Sequence, residues 1–410
     1  MNNFLFTKIR QRFDNTSIEN IEQAVAQELS SDKLQFASGA RIAITSGSRG
    51  VANIACITRA VVDAVKAKGG VPFIIPAMGS HGGATAEGQR EILDSYGINE
   101  ETMGCPVRSS MEVVEIDNGG LELPLFMDKQ AYESDGVILI NRIKPHTAFH
   151  GDYESGLVKM SVIGLGKERL ASAIHSFGIY GLKTLMPKAG RRILAMGKIL
   201  LGVGIVENAY DETAIIEAMT PDEILRREQE LLAIAKGLLP SFPVNDIDVL
   251  VVDQIGKNIS GSGMDPNIIG RMRIRGEPEP ESPAIKSIVI TDLTDVSHGN
   301  ACGIGLADVT TRRLADKVDW QATYMNGVTS GFYEHFMMPI VAATDAQALE
   351  WGVRASHDPH KPKKIVRIKD TLHLGEMYVS DAALEEVRDK VEIISEPISL
   401  FDREGSLIAF

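Results

Sequence analysis

The sequence predicts an α/β protein with two α/β domains, mainly parallel sheets and an active-site cleft between the domains. Its 410 residues exceed the size at which a single hydrophobic core keeps growing. Apolar runs at Asp246–Asp253 and Ile285–Asp292 begin an α/β pattern again in the second half. In the first half, strand-like and helix-like runs alternate as in parallel βαβ units: Arg41–Thr45, Ile54–Lys68, Val71–Ile75 and Thr85–Tyr96.

An amphipathic helix predicted from Pro221 to Leu239 marks the domain boundary. Thr220 is its cap, Pro221 takes its first position, and the proline-rich run that follows Leu239 ends it. We therefore predict one domain over residues 1–240, which contains the candidate site loops, and a second over residues 241–410. Chain order leaves open whether the segment after about Lys364 returns to the first domain.

Composition restricts the class of partner. Lys and Arg number 42 against 55 Asp and Glu, a net charge of −13, which argues against nucleic acid and anionic membranes as partners. The three cysteines, Cys56, Cys105 and Cys302, are too far apart for a disulfide framework or a cysteine zinc site. With no signal-peptide pattern and no uncharged run of about 18 residues, we expect a cytoplasmic protein.

Four polar loops follow predicted strands in the first half. They are Thr45–Gly50, Met78–Gly83, the loop around His146, and the stretch after Lys159. Because parallel strands end at one edge of a sheet, these loops should converge there. Their glycines can expose backbone N–H groups to a phosphate or a carboxylate. For the first loop, the alternative is an ordinary strand-to-helix turn with an exposed Arg49.

Two histidines are candidate proton carriers. His146 follows Pro145, which ends the apolar strand before it, and His81 lies in a glycine-rich loop. A histidine near its ordinary pKa can move a proton to or from an alcohol or an α-carbon. Two of them on opposite sides of one carbon would serve both faces, as a racemase requires. A structural histidine is the alternative at position 81.

The segment after His146 contains a candidate nucleophile. Lys159 lies between Val158 and Met160, and burial there would lower its pKa and make it nucleophilic, although most lysines are solvated surface groups. The run Met160–Lys167 lacks the spacing of a nucleotide triphosphate loop. His175 lies on a predicted amphipathic helix, where the residues alone favour a core histidine over a metal ligand.

These residues, in this order, resemble the nickel-dependent lactate racemase family, whose enzymes use a nickel-pincer nucleotide. The segments that carry the resemblance are Asn141–His146, Glu154–Lys159, Ile163–Lys167 and His175. The resemblance implies a racemase or epimerase of a 2-hydroxy acid. It also implies that Lys159 carries the pyridinium-3-thioamide-5-thiocarboxylic acid mononucleotide covalently, and that cofactor-synthesis enzymes are partners.

The same resemblance assigns roles to the candidate residues. His175 becomes the protein ligand of nickel, and imidazole suits Ni(II). His81 and His146 become the paired acid/base residues, while Ser46 and Arg49 contact the cofactor or the substrate anion. In the implied reaction one histidine takes the hydroxyl proton, the α-hydrogen leaves as hydride to the cofactor, and hydride returns to the other face.

The chain departs from the family pattern in ways that bear on the substrate. Ser46 stands where the family has an acid, and Gly270 and Arg273 stand where it has a glutamine and a lysine. The loop after His146 is longer and adds His150, Asp152 and Glu154. We therefore expect a substrate more polar than lactate, such as a sugar acid or a hydroxy-diacid.

The expected substrate contacts are Arg49, His150, Asn267 and Arg273. For Arg273 the alternative is an exposed strand on which Arg271, Arg273 and Arg275 alternate. An oxidoreductase using the same cofactor and a non-catalytic cofactor-binding protein are the rival functions. The sequence leaves the oligomeric state open, a homo-oligomer included.

Overall fold

The computed structural model describes residues 4–30, 33–48 and 50–410. Its strands are β1 (Phe6–Arg10), β2 (Arg41–Ser46), β3 (Val71–Pro76), β4 (Val113–Ile116), β5 (Leu125–Asp128), β6 (Gly136–Arg142), β7 (Ile199–Glu207), β8 (Thr213–Met219), β9 (Asp246–Ile255), β10 (Ala284–Leu293), β11 (Val309–Thr311), β12 (Ile340–Ala342), β13 (Ile365–Ile368), β14 (Glu376–Ser380) and β15 (Glu392–Ile393).

Its α-helices are α1 (Ile21–Ser30), α2 (Ile54–Ala67), α3 (Ala86–Ser95), α4 (Glu100–Met103), α5 (Lys129–Tyr132), α6 (Leu157–Lys159), α7 (Lys167–Ser176), α8 (Gly178–Tyr180), α9 (Met186–Leu194), α10 (Pro221–Leu238), α11 (Pro266–Ile269), α12 (Arg312–Lys317), α13 (Trp320–Ser330), α14 (Asp345–Ala355) and α15 (Asp381–Val387). Two π-helical segments, Met160–Gly164 and Gly181–Leu185, continue α6 and α8. None of the helices in the described ranges combines the length and apolar character needed to cross a bilayer.

Residues 14–238 form one compact unit around a five-stranded sheet of order β3-β2-β6-β7-β8. Strands β3, β2, β6 and β7 run parallel, and β8 pairs antiparallel with β7. The interior strand β2 is buried from Ile42 to Ser46, as expected when helices cover both faces of a parallel sheet. From β2 the chain moves to β3 on one side and later to β6 on the other, so the strand order reverses between β2 and β6.

Residues 239–410, together with β1, form the second unit. Its sheet has the order β12-β11-β10-β9-β13-β14-β1-β15, and the strands from β12 to β13 run parallel. This arrangement confirms the predicted α/β class with mainly parallel sheets.

The first strand does not belong with residues 14–238, so a domain that begins at residue 1 needs correction. Strand β1 pairs antiparallel with β14, and its Phe6 and Ile9 are fully buried. The segment after Lys364 does not cross back, because β13 pairs with β9 in the second sheet. The predicted helix that begins at Pro221 is α10, which ends at Leu238.

Candidate active site

The carboxyl ends of β2, β3 and β6 meet at the point where the strand order reverses, the usual ligand position in open α/β sheets. Ser46 ends β2, and its hydroxyl is fully buried without a hydrogen-bond partner among the described residues. A Cβ on the next residue, Gly47, would lie 3.3 Å from Met160 Cε and 3.7 Å from Asn141 Oδ1. The ends of β2 and β6 and the π-helical segment after Lys159 therefore lie together.

The helix that carries Lys159 is held firmly at its start. Asn141, near the end of β6, donates from Nδ2 to the carbonyl of Gly156 at 2.8 Å. Glu228 on α10 is buried and accepts from Val158 N at 2.9 Å. A Cβ at Gly156 would lie only 2.3 Å from Glu228 Oε1, so a larger residue there would displace the Glu228 carboxyl group. These contacts fix the backbone position from which Lys159 extends.

Lys159 and His146 are in direct contact. His146 Nε2 lies 2.7 Å from Lys159 Nζ, and the backbone N–H of Ala148 donates to His146 Nδ1 at 3.0 Å. The ring of Phe149 packs against the imidazole, with 4.6 Å between ring centroids. His146 and Lys159, both predicted site residues, therefore lie together in the fold. The imidazole of His146 is held in a defined orientation.

Glu154 organises the loop that contains His146. It is fully buried; Oε2 accepts from His146 N at 2.7 Å, and Oε1 lies 2.7 Å from Lys236 Nζ. Burial raises the pKa of Glu154, but hydrogen bonds from His150, Lys236 and the His146 backbone outweigh it and bring the pKa below its ordinary value. Both of its oxygens are bound within the protein, so Glu154 serves the loop rather than a ligand. Asp152 is exposed.

His175 is suited to act as a neutral ligand. Its ring keeps a surface open to solvent, yet surrounding protein displaces much of the water near it. This desolvation, and then the positive charge of Lys159, lowers the pKa of His175 to about 4. The imidazole is therefore uncharged at neutral pH, the form that binds metals. Within the described ranges, His, Cys, Asp and Glu side chains do not gather in threes as metal ligands.

The His81 loop packs against the helical segment between Lys159 and His175. Gly79 has a φ of 60°, and a Cβ there would lie 3.1 Å from Ile163 Cγ2. His81 itself is exposed, and its Nδ1 hydrogen bonds with Ser48 Oγ. The loop that contains His81 therefore contacts the helical segment that runs from Lys159 to His175. Arg49, which follows Ser48, lies outside the described residues, so its predicted role stays a prediction.

A buried lysine, Lys167, links the start of α7 to β3 and β5. It is fully buried, and its Nζ lies 3.0 Å from Asp128 Oδ2 and donates to the carbonyl of Pro76. Burial lowers the pKa of Lys167, and the charge of Asp128 acts in the opposite direction. Gln89 bridges Lys167 to the His81 loop by donating to the carbonyls of Gly79 and His81 at 2.9 and 3.1 Å.

Sequence reasoning missed Glu228 as a contributor to the site. The available signal was its place on the apolar face of α10, where Ile224 and Leu231 are also buried. An acid at a core-facing position is costly unless its oxygens are satisfied, which points to a specific partner. Its partner, the start of α6, could not be read from the sequence.

Asn267 and Arg273 lie in the second unit and are engaged there. Asn267 donates from Nδ2 to Asp265 at 2.8 Å. Arg273 pairs with Asp308 at 2.6 Å and donates to the carbonyl of Gly305. Asp308 precedes β11, so Arg273 is bound at the amino-terminal edge of that sheet, opposite the edge where ligands usually bind.

The expected carboxylate clamp at Arg273 stays a prediction, although Nη1 and Nη2 are already bound within the second unit. The alternative of an exposed strand is wrong: Arg271 pairs with Asp308 at 2.7 Å, and residues 271–275 form no strand. His150 contacts Glu154 of the same loop, with Nδ1 3.4 Å from Glu154 Oε2.

No protein-family model matches the chain, and no curated protein does so either. Solved structures do match. The lactate racemase apoprotein from Thermoanaerobacterium thermosaccharolyticum superposes with a TM-score of 0.54 at 14% identity, covering 90% of this chain and 98% of that one. The two proteins share a fold. A protein from Thermotoga maritima matches with a TM-score of 0.48 at 14% identity, over 79% of this chain and 83% of that one.

Proposed function

We propose that this protein is a racemase or epimerase of a 2-hydroxy acid that works with a nickel-pincer nucleotide attached to Lys159. The observation that carries the proposal is the 2.7 Å contact between Lys159 Nζ and His146 Nε2 at the carboxyl edge of the sheet, with His175 near by. An amine, a proton carrier and a neutral imidazole are the protein groups that such chemistry needs. The fold shared with a lactate racemase apoprotein supports the same assignment.

The residues present fit the cofactor. Lys159 offers its amine on a helix whose start is fixed by Glu228 and Asn141. The buried hydroxyl of Ser46 is a polar group at the same sheet edge that a bound molecule can satisfy. His175 would supply one imidazole nitrogen to nickel. When bound, the cofactor supplies a reversible hydride acceptor.

The two histidines would move the hydroxyl proton of the substrate. His146 presents Nε2 at the attachment point of Lys159, while Nδ1 is occupied by the Ala148 N–H. His81 is oriented through Nδ1 by Ser48, so its proton transfer would use Nε2. Each ring is held in orientation through its Nδ1, as expected of a positioned acid/base group.

We propose a substrate more polar than lactate. With Glu154 committed to the protein, the loop offers the partly exposed His150 and the exposed Asp152 to additional hydroxyls or a second polar end. Arg49 is the proposed contact for the substrate carboxylate, as a bidentate donor. A site that pairs additional polar groups discriminates strongly against a substrate lacking them.

The experiment is a panel of enantiopure 2-hydroxy acids, including lactate, sugar acids and hydroxy-diacids, followed by chiral analysis. The protein is produced together with the cofactor-synthesis enzymes, and Lys159→Arg serves as the unloaded control. We expect both enantiomers or epimers to appear from either starting compound, in the loaded protein only. Net accumulation of a 2-oxo acid would instead identify an oxidoreductase, and no turnover of any compound would contradict the proposal.

A further inference from the structure

Helix α13 carries apolar side chains on its outward face. Thr323 is fully buried and accepts from Ala301 N at 3.1 Å, so this side of the helix packs on the second unit. On the other side, Tyr324 and Val328 lie four residues apart and are 51% and 68% exposed. The helix contains no Asp, Glu, Lys or Arg. A surface helix normally has charged residues on the face turned to water, so an apolar outward face indicates a surface that another molecule covers.

The turn that follows α13 extends the same apolar surface. Phe336 in this turn is buried against the helix, and a Cβ at Gly327 would lie 3.0 Å from its ring. Tyr333 and Met337, at either end of the turn, are exposed. Ile340 then begins β12, the end strand of the second sheet, and is exposed as well. Because the turn is packed against α13 and β12 is paired in the sheet, these exposed side chains are held in fixed positions.

The area of this surface is that of a protein interface. We call the following six exposed side chains the α13 surface: Tyr324, Val328, Tyr333, Met337, Met338 and Ile340. Together they expose on the order of 600 Å², the upper end of the apolar patches that monomeric proteins show. Each partner in a stable dimer buries roughly 800 Å², of which about 65% is non-polar. The α13 surface therefore has about the apolar area that one side of a dimer interface needs.

The distribution of charge favours a second copy of the chain as the occupant. From Trp320 to Ile340 the sequence has a single Asp, Glu, Lys or Arg, which is Glu334, and Arg275 pairs with it at 2.5 Å. At the 24% found in the whole chain, 21 residues would include about five. Two chains of net charge −13 repel each other, so they can approach most closely where charge is scarce. A helix that binds anionic membranes would instead carry Lys and Arg, and α13 has neither.

We propose that the α13 surface joins two copies of this chain in a two-fold symmetric dimer. A two-fold interface uses the same surface on both copies, so the apolar side chains of one copy meet those of the other. Strand β12 pairs with β11 on one side only, and a dimer that buries Ile340 would also cover this sheet edge. The inference does not depend on the proposed function, because none of the six side chains belongs to the candidate active site.

The test is the mass in solution of the unmodified chain and of three variants, measured by sedimentation velocity from about 1 to about 50 μM. We expect the unmodified chain to reach twice its mass of 44.5 kDa within this range. Val328→Glu on the helix and Met337→Glu after the turn should each weaken the dimer roughly 10²-fold or more, because the two-fold axis places the new carboxylate in the interface twice. Ile234→Glu replaces an exposed apolar side chain on α10 and should leave the dimer unchanged. Circular dichroism checks that each variant is folded.

Salt provides a second measurement on the unmodified chain. The dimer should be tighter in about 0.5 M than in about 0.05 M NaCl, since salt screens the repulsion between the two negative chains. A chain that remains monomeric at about 50 μM would overturn the inference without any variant. A dimer that persists in both folded glutamate variants of the α13 surface, or that is lost equally in Ile234→Glu, would also overturn it. Binding of a monomer to vesicles of phosphatidylserine and phosphatidylcholine, abolished by Val328→Glu, would assign the surface to a membrane instead.

Discussion

Replacing Glu228 with glutamine should make the protein more stable at alkaline pH than the unmodified chain. Glu228 is buried, and one of its oxygens has no hydrogen-bond partner among the described residues. Burial raises its pKa to about 7, although the backbone N–H groups of Val158 and Leu157 favour the charged form. In the unfolded chain the same carboxyl titrates near its ordinary value of 4.5.

The direction of the pH effect follows from this difference. The folded state binds the proton of Glu228 more tightly than the unfolded state, so its contribution is most favourable below about pH 4.5 and is lost as pH rises to about 7. At about 1.36 kcal/mol per pKa unit, the loss above pH 7 is of the order of 3 kcal/mol. Glutamine keeps an oxygen that can accept from Val158 and carries no charge, so it avoids this loss.

The assay is the free energy of urea unfolding of both proteins at pH 5 and pH 8.5. The difference between Glu228→Gln and the unmodified chain should shift in favour of the variant by about 2–3 kcal/mol between the two pH values. Glu230→Gln is the matched control on the same helix, where surface pairs with Arg226 and Arg227 lower the pKa of the acid. It should show no gain at high pH. A difference for Glu228→Gln that does not change with pH would refute the reasoning.

Three further predictions concern the groups around Lys159. Lys159→Met should raise the pKa of His175 from about 4, because the positive charge beside the ring is removed; an unchanged value in an NMR titration would argue against their proximity. Asp128→Asn should destabilise the protein by about 3–5 kcal/mol by leaving Lys167 buried without its counter-charge, and the double variant with Lys167→Met should recover part of that loss in thermal unfolding. His81→Ala should lower racemisation per loaded molecule by roughly 10²-fold while the adduct persists, and unchanged turnover would make His81 structural.

The strands and helices that carry the site were predictable because their signals are local. The apolar run before Asn141 is long enough and buried enough to specify β6, and the cap and first-turn proline specify the start of α10. Parallel pairing follows from strand and helix alternation. From these features alone, the convergence of the loops around Ser46, His81 and His146 at one sheet edge could be expected.

The remaining features depend on partners distant in sequence. Nothing near Phe6 indicates that β1 pairs with β14, more than 360 residues away. The sequence predicts that Arg273 is available to bind an anion, whereas in the fold it pairs with Asp308. Glu154 likewise reads as a polar loop residue, although Lys236 and His146 occupy its oxygens. Long-range pairing of charges decides which polar residues serve the fold and which remain for a ligand.

The central claim is that Lys159 carries the cofactor and His175 binds its nickel. The most direct measurement is intact mass, peptide mapping and metal content of protein produced with the cofactor-synthesis enzymes. We expect an adduct on the peptide that contains Lys159, nickel at about one per loaded chain, and loss of nickel in His175→Ala with the adduct still present. An adduct on Lys167 instead, or nickel fully retained in His175→Ala, would contradict the account.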